Sequence, residues 1–247
     1  MKGYLKIESV VNPVLLDDLN HQMIAELRSL ENKTKLIGGR KSGHLNATIG
    51  KHANEIFGEI NKEKIISEIN RSFGVNLNNY FVTVGCNLNF PGSVKQHIHR
   101  DTNFNDRKII INIPCIDVIE KNGSIEVYPN SETYPYSYLE FLLDRSLIPL
   151  RLNTKKGDIL VRDSNLFHRG MPNNSENLRV MVAFVFTKKV GTEEKNLGFP
   201  EKIEIYENWF QSNFLSRLKE TIYIYLPIVR SIKRIIASVY KSKGVST

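Results

Sequence analysis

Cysteine is scarce. The 247 residues hold two, Cys86 and Cys115. Both lie inside apolar runs, which suits buried thiols in a reducing compartment and excludes a disulfide framework. Long apolar stretches are missing too. Nowhere do about 18 apolar residues run together, so no spanning helix is expected. The opening MKGYLKIESVVNP lacks a stretch of signal-peptide length, and a cytoplasmic location is the expectation. Internal repeats and low-complexity tracts are absent. Acidic residues are outnumbered, 26 Asp and Glu against 34 Lys and Arg, for a net charge of +8. That balance points to anionic partners. The basic residues are not interleaved with stacking aromatics, so nucleic acid is not expected among those partners. Hydrophobic content of 41% and charged content of 24% are those of an ordinary globular chain.

Hydrophobic spacing divides the chain into three parts. Val14, Leu15, Leu19, Met23, Leu27 and Leu30 recur at three- and four-residue intervals and predict a helix over 13–31. The polar, Gly-containing 36–48 reads as a loop, with Arg40, Lys41, His44 and Asn46 either scaffolding it or touching substrate. Ile56, Phe57, Ile60, Ile65, Ile66 and Ile69 predict a second helix over 54–73. After Gly74 the pattern becomes that of strands: 80–90, 108–117, 124–128, 158–162 and 180–187, separated by Gly, Pro and Asn. A short helix fits within 134–147. Helices followed by many short strands imply an α+β chain with a β-sandwich or barrel at its centre.

The last part changes character. Residues 203–220 read as helical. Beyond Pro227, Ile228, Val229, Ile232, Ile235, Ile236 and Val239 mark one helical face, while Arg230, Lys233, Arg234, Lys241 and Lys243 add charge of one sign. Such a helix either docks on the protein's own core or lies on an anionic membrane, giving an expected peripheral contact at the inner membrane face through 228–243. Residues 1–200 are expected to form one domain, with 201–247 a basic, amphipathic helical extension.

The chemistry-bearing stretch is Gln96-His97-Ile98-His99-Arg100-Asp101. His99 and Asp101 share a face if the backbone is extended. Two imidazoles and one carboxylate leave open positions on a metal and suit non-haem Fe(II). The second imidazole candidate is His168, 67 residues after Asp101, where a strand ending at Asp163-Ser164 would turn. His21, His44 and His52 fall in the helical and loop portion and look like poor ligands. Such a metal takes a bidentate 2-oxo acid and dioxygen, and the acid's far carboxylate needs a buried cation. Arg179 opens an apolar strand and needs a partner there. Its fork matches a carboxylate in two hydrogen bonds.

These residues occur in order with Asn122-Gly123-Ser124-Ile125-Glu126-Val127, then Pro129, and with Gly157-Asp158-Ile159-Leu160 before His168-Arg169-Gly170. From about Tyr80 to Thr187 the chain resembles the phytanoyl-CoA dioxygenase family of Fe(II)/2-oxoglutarate oxygenases. The resemblance implies a double-stranded β-helix (jelly-roll) core over about 80–187 with the N-terminal helices packed on it. It implies iron on His99, Asp101 and His168, and 2-oxoglutarate on Arg179. Gln96 and Asn87 or Asn89 would help bind the co-substrate, and His97 and Arg169 would face the substrate. The implied reaction hydroxylates a C–H bond with O2, releasing succinate and carbon dioxide. One departure stands out: some 2-oxoglutarate oxygenases place Ser two residues after the arginine, and here that residue is Met181.

Two rivals remain. His97-x-His99 also resembles the opening of a cupin metal site, but Asn103, Phe104 and Asn105 stand where a cupin places Glu. A non-catalytic jelly-roll binding protein would carry inward His and Asp residues at an uncompensated burial cost. The charge, together with Arg40, Lys41, Arg100 and Arg169, suggests a small anionic substrate or one linked to lipid or sugar.

Overall fold

The computed structural model describes residues 3–31, 43–190 and 198–206, with residues 222, 226, 228–229, 232–233 and 235–236 of the tail. In chain order these form β1 (Tyr4–Ile7), α1 (Pro13–Glu31), β2 (His44–Ala47), α2 (His52–Ile60), α3 (Glu63–Phe73), a 3-10 turn (Leu77–Asn79) and β3 (Tyr80–Asn89). They continue with β4 (Lys108–Pro114), β5 (Ile125–Val127), α4 (Tyr138–Leu143), β6 (Leu150–Leu152), β7 (Ile159–Asp163), β8 (His168–Arg169), β9 (Arg179–Lys188) and β10 (Ile205–Tyr206). One sheet runs β1-β7-β4-β9-β3-β2-β10 and a smaller one β6-β5-β8. All ladder pairs are antiparallel. The fold is a jelly-roll with helices on one face of the larger sheet.

Strand alternation divides that sheet into two chemical faces. Ile109, Ile111 and Ile113 of β4, Val180, Val182 and Phe184 of β9, and Val84, Cys86 and Leu88 of β3 belong to the main core. Leu16, Leu19, Met23 and Leu27 of α1, with Ile56, Ile60, Ile69 and Phe73, complete it from the helix side. The alternate positions form the opposite face. Register places Arg162 beside Ile110, Leu160 beside Asn112, Ala183 across from both Asn112 and Gly85, and Arg179 across from Asn89. Polar and charged residues therefore gather on the face turned away from the helices.

Several local expectations need correction. The helix expected over 54–73 is two helices, because Lys62 adopts an extended backbone (φ −67°, ψ 138°) between them. Gly74, at φ 63°, ends the second in a left-handed cap whose N–H bonds to Asn70 O. Part of the expected 36–48 loop is β2, which β3 and β10 zip in from either side. Ile205–Tyr206 is an edge strand where a helix was expected to begin; residues 207–220 of that expectation lie outside the described residues. Cys86 and Cys115 are free and buried, as expected. No helix among the described residues is long and apolar enough to cross a membrane.

Candidate metal centre

His99 and His168 are brought together by the backbone. Their main chains exchange two hydrogen bonds, His99 N to His168 O at 2.9 Å and His168 N to His99 O at 3.0 Å. This is an isolated antiparallel bridge, and residues 93–98 before it are not in a regular strand. Gln96 extends the pairing. Its N–H bonds to Gly170 O and its Oε1 accepts from Gly170 N–H, both at 2.9 Å. A Cβ on Gly170 would come within 2.6 Å of that Oε1, so the clamp requires glycine.

Each imidazole is oriented through its Nδ1. His99 Nδ1 lies 2.7 Å from His97 O, and His168 Nδ1 lies 2.9 Å from Leu166 O. A carbonyl only accepts, so Nδ1 carries the hydrogen in both rings and Nε2 presents its lone pair. Both Nε2 atoms face one oxygen, Asp101 Oδ1, at 3.6 Å from His99 and 3.5 Å from His168. The three donor atoms lie within 4.8 Å of one another, an arrangement that could hold a metal ion. Two backbone carbonyls thus set two tautomers for ligation, which is how metal-binding histidines are held.

The charges around the cluster favour its ligating forms. His168 is buried, and burial, reinforced by Arg162, pushes its pKa down to about 3. It remains neutral at physiological pH. Burial alone would raise Asp101, but the Arg162 guanidinium and the two imidazoles hold it well below the usual carboxylate range. Arg162 bonds Asp101 through Nη1 and Asn112 Oδ1 through Nε, the latter at 2.9 Å. Sequence reasoning missed Arg162. The available signal was a lone charge at a buried position inside Ile159-Leu160-Val161-Arg162.

Arg179 lies on the same face of the large sheet as Arg162, at the start of β9. It is 6% exposed, and its Nη2 donates to Asn87 Oδ1 at 3.0 Å. Its Nε has no partner, and no acidic side chain among the described residues pairs with it. Burial lowers its pKa to about 10, so it stays charged at physiological pH. A buried guanidinium without a counter-ion is costly. It suits a carboxylate brought by a ligand.

The other predicted residues divide. His97 stands outside the triad, its ring packed edge-on against Tyr138 at 5.3 Å, with Tyr138 Oη 3.0 Å from its Nε2. Among the described residues the cluster therefore has neither the third imidazole nor the Glu of a cupin arrangement. Arg169 pairs with Glu126, which also accepts from Tyr128. Arg100, read as an exposed cation, instead donates to the carbonyls of Asn165, Ser131, Tyr134 and Tyr136 and stacks on Phe167. Arg40 and Lys41 lie outside the described residues. The Asn122-Gly123 turn backs the polar face: Gly123 has φ +87°, and a Cβ there would meet Asn89 Nδ2 at 2.7 Å.

The family model for phytanoyl-CoA dioxygenase (PhyH) matches residues 1–181. The chain belongs to that family. Solved structures agree on the fold. The protein is similar to AviO1 from Streptomyces viridochromogenes Tue57, at TM-score 0.61 and 14% identity over 78% of this chain and 93% of that one. It is also similar to the epimerase SnoN of nogalamycin biosynthesis, solved with Fe3+, α-ketoglutarate and nogalamycin RO. There the TM-score is 0.55 and the identity 13%, over 76% of this chain and 79% of that one. The α-ketoglutarate-dependent carbocyclase SnoK from the same biosynthesis gives TM-score 0.52 and 11% identity over 76% and 80%. Family membership and the His-Asp-His cluster together place the protein among the iron- and 2-oxoglutarate-dependent enzymes.

Proposed function

We propose that the protein is an Fe(II)- and 2-oxoglutarate-dependent hydroxylase of a small anionic, lipid-linked or sugar-linked substrate. In this reading His99 Nε2, Asp101 Oδ1 and His168 Nε2 hold the iron, and Arg179 holds the far carboxylate of 2-oxoglutarate. The single observation that carries the reading is Arg179: a buried, charged guanidinium with an unpartnered Nε on the polar face. The donor set also fits, since two neutral imidazoles and one carboxylate suit Fe(II) and leave positions for a chelating co-substrate.

When bound, the iron supplies oxygen activation coupled to decarboxylation of the 2-oxo acid and oxidation of a substrate C–H bond. The chain's own residues do the rest by position. The carbonyls of His97 and Leu166 keep both Nε2 lone pairs turned inward. Arg162 occupies Asp101 Oδ2 and leaves Oδ1 for the metal. Asn87 braces Arg179. His97, with Tyr138 against it, flanks the ligand stretch and is the residue we assign to substrate contact. Arg169 is held by Glu126 and would reach substrate only through the edge of that pair. No side chain is required as a general base.

A second outcome of the same C–H oxidation is favoured by the similar structures, which include an epimerase and a carbocyclase. The complex of SnoN with nogalamycin RO also supports a small-molecule substrate here. A screen that scores succinate formed from 2-oxoglutarate identifies the substrate, and the product's mass then separates the outcomes. Hydroxylation adds one oxygen atom; epimerisation leaves the mass unchanged. Absence of iron-dependent succinate formation with or without candidate substrates would count against the reading.

The tail belongs to the same proposal. Ile228, Val229, Ile232 and Ile236 are exposed, and Lys233 lies among them in sequence. We assign residues 228–243 to peripheral contact with an anionic membrane surface, which would suit a lipid-linked substrate.

A further inference from the structure

Three buried polar atoms without partners stand in one row across three neighbouring strands. Register pairs Arg179 of β9 with Asn89 of β3, and Asn89 with His44 of β2. Directly paired residues project from the same face, so the three side chains share the polar face of the sheet. Arg179 is 6% exposed, Asn89 0% and His44 8%. Among the described residues Arg179 Nε, Asn89 Oδ1 and His44 Nδ1 have no hydrogen-bond partner. Buried orphans are rare in native proteins, and each calls for an explanation. Three in register mark a place prepared for a ligand.

The bonds these residues do make define what the orphans can offer. Asn89 Nδ2 donates to Met171 O at 3.1 Å, so its free atom is an acceptor. Asn89 is the cross-strand partner of Arg179, whose free Nε–H is a donor. His44 Nε2 lies 3.0 Å from Val94 O, and a carbonyl only accepts. Nε2 therefore carries the hydrogen, and the neutral ring presents a bare Nδ1. In that form His44 offers nothing to a carboxylate. As an imidazolium it would offer Nδ1–H.

Two features of the site keep the proton away from His44. Burial first, and then the charge of Arg179, push the His44 pKa down to about 4. An anion seated on Arg179 removes the second of these causes and gives Nδ1–H an acceptor. The other titratable groups on neighbouring strands do not interfere. Cys86 on β3 and Tyr206 on β10 are both pushed up by burial and remain neutral at physiological pH. Lys95, next to Val94, is exposed. Met181 stands two residues after Arg179, so no hydroxyl is available from that position.

We propose that His44 is a second anchor for the co-substrate carboxylate, taking up a proton from solvent as the anion binds. The carboxylate is then held between the Arg179 guanidinium and a doubly protonated imidazole. This rests on the assignment of Arg179 as the 2-oxoglutarate anchor and adds a residue and a proton to it.

The test is calorimetry of 2-oxoglutarate binding to the Zn(II)-loaded protein at pH 6.5 in two buffers of different ionisation enthalpy. The wild type is expected to take up a substantial fraction of one proton, and its affinity to fall as pH rises from 6 to 8. His44→Gln is expected to lose that uptake and bind roughly tenfold more weakly. Should the variant fold poorly, 15N spectra of the wild-type histidines give the same answer, through one ring passing from the Nε2–H neutral form to the doubly protonated form. No proton uptake in the wild type, or unchanged uptake in His44→Gln, overturns the role of His44 and leaves Arg179 untouched. If the wild type binds no 2-oxoglutarate at all, the co-substrate assignment itself falls and this inference falls with it.

Discussion

Arg162 takes one oxygen of Asp101 and leaves the other to the histidines. Its Nη1 bonds Oδ2, while Oδ1 faces His99 and His168 at 3.6 and 3.5 Å. The guanidinium is itself fixed by Asn112, so the carboxylate is aimed from the sheet rather than from its own loop. Arg162→Met is expected to weaken Fe(II) binding about 10- to 100-fold, the range for outer partners of metal ligands. Competition against a chelator measures this. In metal-free protein, Asp101→Ala leaves the Arg162 charge in a largely buried place and should cost about 1–3 kcal/mol, less than a fully buried pair because the Asp101 side chain is 27% exposed. Adding Arg162→Met to Asp101→Ala should recover much of that loss in denaturant unfolding. Additive losses would show that the pair is not coupled.

Arg179 should separate stability from binding. It is charged, buried and without a counter-ion among the described residues, so replacing it by an apolar side chain of similar length removes a cost. Arg179→Met is expected to match or exceed the wild type in thermal unfolding without ligand. It should lose at least about 100-fold in 2-oxoglutarate affinity, as expected when a buried charge partner is removed. The wild type should be stabilised by 2-oxoglutarate in the presence of metal, and the variant should not. A variant that unfolds early yet binds normally would make Arg179 a structural residue.

Asp158 sets part of the acid limit of the fold. Burial alone would raise its pKa, but the N–H groups of Lys155 and Ser9 and the Lys6 ammonium outweigh that and lower it. A carboxyl with a depressed folded value contributes stability above its unfolded value, near 3.9, and loses it as pH falls through the folded value. Asp158→Asn should therefore be less stable than the wild type at pH 7. The difference should shrink as pH is lowered below about 4. A difference independent of pH would show that packing, not charge, is what Asp158 contributes.

The tail assignment predicts a lipid dependence. The full chain should bind vesicles containing anionic lipid more than neutral ones, with attraction reduced by salt. Truncation after Leu226 should abolish the difference. Unchanged vesicle binding by the truncated chain would remove residues 228–243 from any membrane role.

The three side chains of the candidate metal cluster, which the fold does bring together, could be picked from the sequence because ligand chemistry is local. His-x-Asp, a later His after a strand and an arginine opening an apolar strand keep their meaning wherever the chain goes. What could not be read was partnership across distance. Arg100 and Arg169 look like solvent-facing cations beside a site, yet one is satisfied by four carbonyls and the other by Glu126, 43 residues away. Backbone acceptors have no sequence signature. His44 was set aside as a loop residue because His44–Ala47 is four residues long and owes its strand state to β3 and β10 on either side. The division of 54–73 into two helices turns on one extended residue, Lys62, which has no distinctive composition around it. Hydrophobic periodicity did mark the residues of α1 that pack on the large sheet, Leu19, Met23 and Leu27 among them. The chemistry of the opposite face emerged only from register, which places Arg162, Arg179, Asn89 and His44 on the same side.

The central claim is that the triad and Arg179 hold iron and 2-oxoglutarate together. Adding Fe(II) and then 2-oxoglutarate to the protein without oxygen tests it directly, because chelation of the iron by the 2-oxo acid gives a visible charge-transfer band. Wild-type protein is expected to develop the band at saturable ligand concentrations. His99→Ala, Asp101→Ala and His168→Ala should lose it, and Arg179→Met should require far more 2-oxoglutarate to reach it. A wild type that develops no band, or triad variants that develop it unchanged, would contradict the account.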